Sequence, residues 1–362
     1  MKVLVLSNSD KGLYNFRKEL LEKLLEKNYQ IYISVPNGER IEDFKNLGCE
    51  YIETSLERRS TNIIKDFKLM KFYNKLIKSI KPDVVLTYTI KPNIYGGIAC
   101  KKNNVPYIAN ITGLGTALEN KGLMQKILIF LYKIAFKKVR CCFIQNEENL
   151  KFVKEHINTT DKYKLIPGSG VNLKKYTFLD YPNENENIKF LFMSRIMKEK
   201  GIEQYLETAK YIKNKYTNVE FHVLGACEEA YREKLEKMQE ENTIIYHGMQ
   251  KNVQPYINEC WCLIHPSYYP EGMSNVLQEA SASGRPVITT NRSGCREVVD
   301  DEKSGFIVPI KDTEKLIEKV EKFINLEYTQ KKEMGLNARK KVEKEFDRNI
   351  VIKEYVQEIS NI

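Results

Sequence analysis

The stretch "CWCLIHPSYYPEGMSNVLQEASASGRPVITT", residues 260–290, decides the fold. It opens with a short apolar run stopped by a proline, "CWCLIHP" (260–266), which reads as a buried strand. A turn rich in Pro, Gly, Ser and Asn follows, and then "NVLQEASASG", which reads as a short helix ended by glycine. The β-branched run "PVITT" (286–290) is a second strand. Strand, turn, helix and strand make one unit of a parallel sheet. The stretch also carries two glutamates, Glu271 and Glu279, with seven residues between them. One stands just before the helix and the other about two turns further on.

The same alternation runs along the whole chain. Strand-like runs are "KVLVL" (2–6), "IYISV" (31–35), "DVVLTY" (83–88), "VPYIAN" (105–110), "CCFIQN" (141–146) and "YKLIPG" (163–168). They resume with "IKFLFMS" (188–194), "VEFHVLG" (219–225), "TIIYHG" (243–248), the two strands above and "GFIVP" (305–309). Amphipathic segments such as 14–27, 62–80 and 121–139 separate them, and the last 40 residues look all-helical. This predicts an α/β chain of two doubly wound domains, each a parallel sheet with helices on both faces. The polar stretch "LDYPNENENI" (179–188) is read as the linker. The domains are then 1–180 and 181–345, with 346–362 a helix expected to pack back toward the first domain. Two such domains are expected to face a cleft, with ligands held beyond the carboxyl ends of the strands.

Composition narrows the class. The chain has 362 residues, 42% hydrophobic and 29% charged, and no run of 18 apolar residues that could span a membrane. The N-terminus lacks a signal-peptide pattern. Eight cysteines without a C-x-x-C pair read as reduced thiols of a cytoplasmic protein. Cys260, Cys262 and His265 lack a recognisable fourth metal ligand, so no metal site is expected. Charge is lopsided: residues 1–180 carry 31 Lys+Arg against 18 Asp+Glu, net +13, and the rest carries 27 against 30, net −3. An anionic partner is expected for the first half only. Lys65, Lys68, Lys71, Lys75 and Lys78 recur at helical spacing, with Phe67, Leu69, Met70, Leu76, Ile77 and Ile80 expected on the core side. Residues 121–140 hold six basic residues and no acid within an apolar run, the pattern of an interfacial helix or of a buried one with a basic rim. These features predict peripheral attachment to an anionic membrane surface; solvated helix faces would show the same pattern. No nucleic-acid module is present, so nucleic acid is not expected as a partner.

Two turns carry candidate chemistry. "SRIMKEKG" (194–201) follows a strand and sets Arg195 and Lys200 before Gly201 at the start of a helix. Two cations and free helical N–H groups suit one anion. The "EGMSN" turn (271–275) offers backbone N–H groups of the same kind. Glu271 and Glu279 could each accept hydroxyl hydrogen bonds from a sugar or ribose. Taken singly, each of these residues also fits an ordinary solvated loop or helix face.

Together, and in this order, "SRIMKEKG" and "PEGMSNVLQEASASGRPVI" resemble the retaining glycosyltransferases of family 4, which have the two-Rossmann GT-B fold. "IPGSGVNLKKY" (166–176) resembles that family's interdomain segment, and "GLYNFR" and "ITGLGTAL" resemble its capsule-polysaccharide and lipid-linked oligosaccharide branch. The resemblance spans nearly the whole chain. It implies that Arg195 and Lys200 hold the diphosphate of a UDP-sugar and that Glu279 holds the ribose. It places Glu271 with the backbone of Gly272, Met273, Ser274 and Asn275 beside the donor sugar, and adds Gly12, His247, Gly248 and Val276 to the donor set. Catalysis would rest on Glu271, Arg195 and Lys200, with no metal and no cofactor beyond the UDP-sugar as co-substrate. The sugar would be an N-acetylhexosamine or related hexose. The acceptor would be a saccharide on a polyprenyl diphosphate, met at the inner face of the cell membrane.

The chain departs from the family in two respects: its first loop, "SNSDKGLYNFR", has one glycine, Gly12, where many relatives have two, and the first 155 residues hold no histidine. The histidines are His156, His222, His247 and His265, so an N-domain histidine base is not expected. "ANITGLG" (109–115) stands in the comparable region. Asp10, Asn15, Arg17, Thr112 and Gly113 are the acceptor-side candidates. A UDP-N-acetylhexosamine epimerase on the same fold is the alternative, distinguished by turnover without acceptor. A silent sugar-nucleotide-binding protein is a third reading, which the intact motifs disfavour.

Overall fold

The structure is a computed structural model and describes residues 1–55, 62–119, 121–159 and 161–362. They divide into two units, Met1–Ser169 with Asn349–Ile362, and Gly170–Arg348.

In the first unit the strands are β1 (Lys2–Leu6), β2 (Gln30–Val35), β3 (Glu50–Glu53), β4 (Val84–Tyr88), β5 (Tyr107–Ile111), β6 (Cys141–Ile144) and β7 (Tyr163–Leu165). They form one parallel sheet in the order β3-β2-β1-β4-β5-β6-β7. The helices between them are α1 (Asp10–Glu26), α2 (Ile41–Asn46), α3 (Ile63–Ile80), α4 (Gly97–Asn103), α5 (Thr116–Glu119), α6 (Leu123–Phe136) and α7 (Glu147–His156). In the second unit the strands are β8 (Ile188–Met193), β9 (Val219–Leu224), β10 (Ile245–Tyr246), β11 (Cys262–His265), β12 (Val287–Thr290) and β13 (Gly305–Val308). They run parallel in the order β10-β9-β8-β11-β12-β13. Its helices are α8 (Ile202–Lys215), α9 (Arg232–Glu240), α10 (Gln254–Glu259), α11 (Asn275–Ala282), α12 (Thr313–Ile324) and α13 (Tyr328–Glu345). The last helix, α14 (Arg348–Ser360), returns the chain to the first unit, where Val351, Tyr355 and Ile359 join the core of Ile33 and Phe143.

Both sheets reverse their winding beside the first strand, between β1 and β4 and between β8 and β11. Ligands of such sheets sit at that reversal, beyond the carboxyl ends of the strands. In the second unit these ends lead directly into "SRIMKEKG" and "HPSYYPEG". Side chains of β8 alternate between two cores, Phe190 and Phe192 on one face, Leu191 and Met193 on the other. A strand buried on both faces explains the continuous apolar run in the sequence.

Several sequence expectations change. The edge strand β3, "EYIE", is not signalled in the sequence, being four residues long with exposed acids at both ends. Helix α1 starts at Asp10 and not at 14, because Ser9 caps it by accepting from the Gly12 N–H. Residues 179–188, read as a linker, lie inside the second unit. Tyr181 packs edge-on against Trp261 and donates its hydroxyl to the Trp261 carbonyl at 2.7 Å. Phe67 does not join the core: it is 50% exposed, with the Lys71 ammonium over its ring.

Candidate functional site

Three turns of the second unit meet at the carboxyl ends of β8, β11 and β12. The first, around Lys198–Lys200, ends in Gly201 at φ +80°. A Cβ there would fall 2.1 Å from the Pro266 carbonyl oxygen, so only glycine lets the first turn touch the second. Two further bonds tie them: Tyr268 N–H and the Ser267 hydroxyl both donate to the Glu199 carbonyl, at 2.9 and 3.5 Å. The third turn follows β12. Its Gly294, at φ +89°, would carry a Cβ 2.8 Å from the Gly272 carbonyl oxygen, and its own carbonyl accepts from Ser274 N–H at 2.7 Å. Glu297 holds this turn by accepting from Ser293 Oγ at 2.8 Å and Gly294 N–H at 2.6 Å.

This scaffold sets two cations beside one carboxylate. Lys200 is buried and pairs directly with Glu271. Arg195 is exposed. Burial pulls the Lys200 amine down to about 8, and the nearby Arg195 charge pushes the same way. Behind Lys200 lie two neutral groups. Burial, with the Lys200 charge adding to it, pulls the His265 imidazole down to about 3, and burial pushes the Cys295 thiol up to about 11. Both ring nitrogens of His265 are buried without a hydrogen-bond partner. The mouth is therefore cationic over a neutral floor. Ser274 is the residue before α11, and Met273 packs into the core below it. Asn275 opens that helix with a buried, unpartnered Oδ1, and Val276 is half-buried beside it.

Glu279 sits elsewhere. Its carboxyl accepts from the Tyr176 phenol and is pushed up to about 7 by burial, with Lys175 and Arg348 pulling the other way. His247 and Gly248 follow β10. The His247 ring stacks on His222 with Nε2 2.9 Å from His222 Nδ1, and both border a cavity of about 520 Å³ with Tyr256 and Glu259. Among the described residues, no group of three or more His, Cys, Asp or Glu is arranged to hold a metal ion.

In the first unit, Asp10 accepts from Arg40 N–H at 3.0 Å, and Gly12 donates to the Ser9 cap. Asn15 and Thr112 are exposed, and Gly113 is half-buried at φ +138°. Arg17 is buried, its guanidinium 5.1 Å from the Tyr88 ring centre and 5.7 Å from that of Tyr355.

Sequence reasoning passed over three residues. Tyr269 stands against both cations. Tyr176, at the end of "IPGSGVNLKKY", holds Glu279. Thr89 follows β4 in the left-handed region, at φ +72°. A β-branched residue rarely adopts that conformation, and it marks the winding reversal of the first sheet. None has a signal in spacing; each depends on long-range packing.

Comparison with known proteins places the chain in a family. Residues 178–341 match the family described as "Glycosyl transferases group 1", and residues 2–146 match "Glycosyl transferase 4-like". The chain belongs to glycosyltransferase family 4. This glycosyltransferase is 24% identical, over 99% of its length and 98% of the relative's, to the N,N'-diacetylbacillosaminyl-diphospho-undecaprenol alpha-1,3-N-acetylgalactosaminyltransferase of Campylobacter jejuni. It is 28% identical to the capsular polysaccharide biosynthesis glycosyltransferase CapM of Staphylococcus aureus, over 92% of this chain and 90% of that one. The fold is shared with a glycosyltransferase of Rickettsia africae (TM-score 0.83, 19% identity, 99% and 98% of the two chains). It is shared also with the Anabaena protein HepE, solved with UDP and glucose (TM-score 0.81, 14% identity, all of both chains).

Proposed function

We propose that this family-4 enzyme transfers a hexosyl or N-acetylhexosaminyl group from a UDP-sugar to a saccharide on a polyprenyl diphosphate, with retention and without a metal. The observation that carries the reading is the pair of cations, Arg195 exposed and Lys200 buried, on a turn that packs against the Glu271 turn. Breaking the sugar–phosphate bond leaves its electron pair on the β-phosphate oxygen. Arg195, Lys200 and the N–H groups at the start of α11 meet that charge. The acceptor hydroxyl attacks the anomeric carbon from the same face, and its proton passes to the leaving β-phosphate. Glu271 holds Lys200 until the donor arrives and then accepts hydroxyls of the donor sugar. Glu279 accepts the ribose hydroxyls. The acceptor class follows the relatives, of which one acts on a diphospho-undecaprenol saccharide and another serves capsule synthesis.

The same reading includes peripheral attachment to the cytoplasmic face of the membrane through the first unit. Among the described residues, no helix is long and apolar enough to cross a membrane. Lys65, Lys68, Lys71, Lys75 and Lys78 are all exposed along α3. Leu123, Ile127 and Phe130 are exposed on one face of α6, with Lys126 and Lys133 along its side and Lys137 at its C-cap. An apolar stripe with lysines beside it suits an anionic interface.

The test is a thermal-shift and transfer assay with UDP- and GDP-sugars, with and without EDTA. A UDP-sugar at a hundredfold excess over Kd should stabilise the enzyme by about 2.7 kcal/mol, EDTA or not. Loss of both donor binding and transfer in EDTA would overturn the metal-free reading.

A further inference from the structure

Arg195 and Lys200 share one aromatic ring. Lys200 Nζ lies 4.9 Å from the Tyr269 ring centre and Arg195 Cζ 5.6 Å. Two like charges brought to one ring repel each other, and the exposed Arg195 could swing into solvent. The quadrupole of an aromatic ring attracts both. The backbone that carries the ring is itself fixed. Tyr269 N–H donates to Ser267 Oγ at 3.3 Å, and its carbonyl accepts from Glu271 N–H at 2.8 Å. Its neighbour Tyr268 is bonded to Glu199, on the turn that carries Lys200. Tyr269 thus stands between the motif that supplies the cations and the one that supplies the carboxylate.

We propose that Tyr269 is a positioning residue: its ring holds Arg195 and Lys200 together at a spacing suited to one diphosphate and favours the charged form of Lys200. The inference rests on the reading of these cations as the diphosphate site. Around Lys200 stand Glu271, Arg195, Cys295, His265 and Tyr269. Burial and Arg195 disfavour its charge, while Glu271 and the ring favour it. With the amine near 8, affinity for a diphosphate should fall as pH rises through that value. Without the ring the amine loses its proton at lower pH, so the fall begins earlier.

The test is calorimetric titration with UDP, and with GDP in parallel, between pH 6.5 and 9.5, on the wild type, Tyr269→Phe, Tyr269→Leu and Lys200→Ala. Tyr269→Leu should bind the preferred diphosphate about tenfold more weakly at pH 7, with its pH midpoint shifted down. Tyr269→Phe, which keeps the ring, should stay within about threefold of wild type and keep its midpoint. UMP, with one phosphate, should discriminate less between the variants. If Tyr269→Leu does not fold, Tyr269→Met is read in its place. Equal affinity and equal midpoints in the Phe and Leu variants, with Lys200→Ala still impaired, would overturn the role of Tyr269 and leave the diphosphate reading standing. Wild-type binding by Lys200→Ala would overturn both.

Discussion

Glu279 holds a carboxyl raised to about 7 by burial, against an ordinary value of 4.5. Between those values the folded chain keeps a proton that the unfolded chain has released. The group's contribution to stability is therefore full below about pH 4.5 and is lost as pH rises through 7. Glu279→Gln cannot ionise, so its urea midpoint should gain on the wild type between pH 5 and pH 8. A difference that stays constant with pH would mean that Glu279 is already ionised at pH 5. The same variant should bind UDP more weakly, since one ribose acceptor is replaced by a neutral amide. The cations act at another stage. Arg195→Ala and Lys200→Ala should each lower turnover roughly 10²-fold or more, as expected where charge develops on a leaving group. Wild-type turnover in both would remove them from the mechanism.

The turns, more than the helices or strands, make the site. Gly201 sits at φ +80° with the Pro266 carbonyl oxygen where a Cβ would go. Gly201→Ala should cost about 1–3 kcal/mol from backbone strain, and more if the Pro266 contact cannot yield. Gly122→Ala is the control, since nothing lies within 4 Å of the added Cβ. Urea unfolding of the two variants gives the comparison, and equal losses would show that the turn contact is soft. The sequence shows most elements of this kind because a strand buried on both faces must be a continuous apolar run. It does not show β3, whose ends are solvated, nor the true start of α1, which depends on a single serine cap. Spacing brings Arg195, Lys200 and Glu271 forward as candidates because each follows a strand end. It cannot show that Tyr269 meets both cations, that Tyr176 holds Glu279, or that Arg17 lies buried between two tyrosine rings. Those contacts join residues brought together only by the folded sheet, or, for Tyr269, depend on how a turn points its ring.

At the scale of the whole molecule, charge is lopsided: residues 1–180 carry net +13 and the remainder net −3. Basic residues at an anionic bilayer contribute about 1 kcal/mol each, falling off within a Debye length of ~8 Å. Vesicle co-sedimentation should show binding to anionic and not to neutral lipid, weakened by salt and by changing Lys68, Lys71 and Lys75 to Glu. Phe130→Glu should weaken what salt leaves. Equal binding to both lipids would make the lysine stripe an ordinary solvated face. The central claim, retaining transfer from a UDP-sugar to a lipid-linked saccharide, is tested most directly by NMR of the product formed in EDTA from a panel of α-linked UDP-sugars and a polyprenyl-diphosphate saccharide. One donor should give a new glycosidic bond with the α configuration kept. An inverted anomeric centre, or an epimerised UDP-sugar released with no acceptor present, would contradict it.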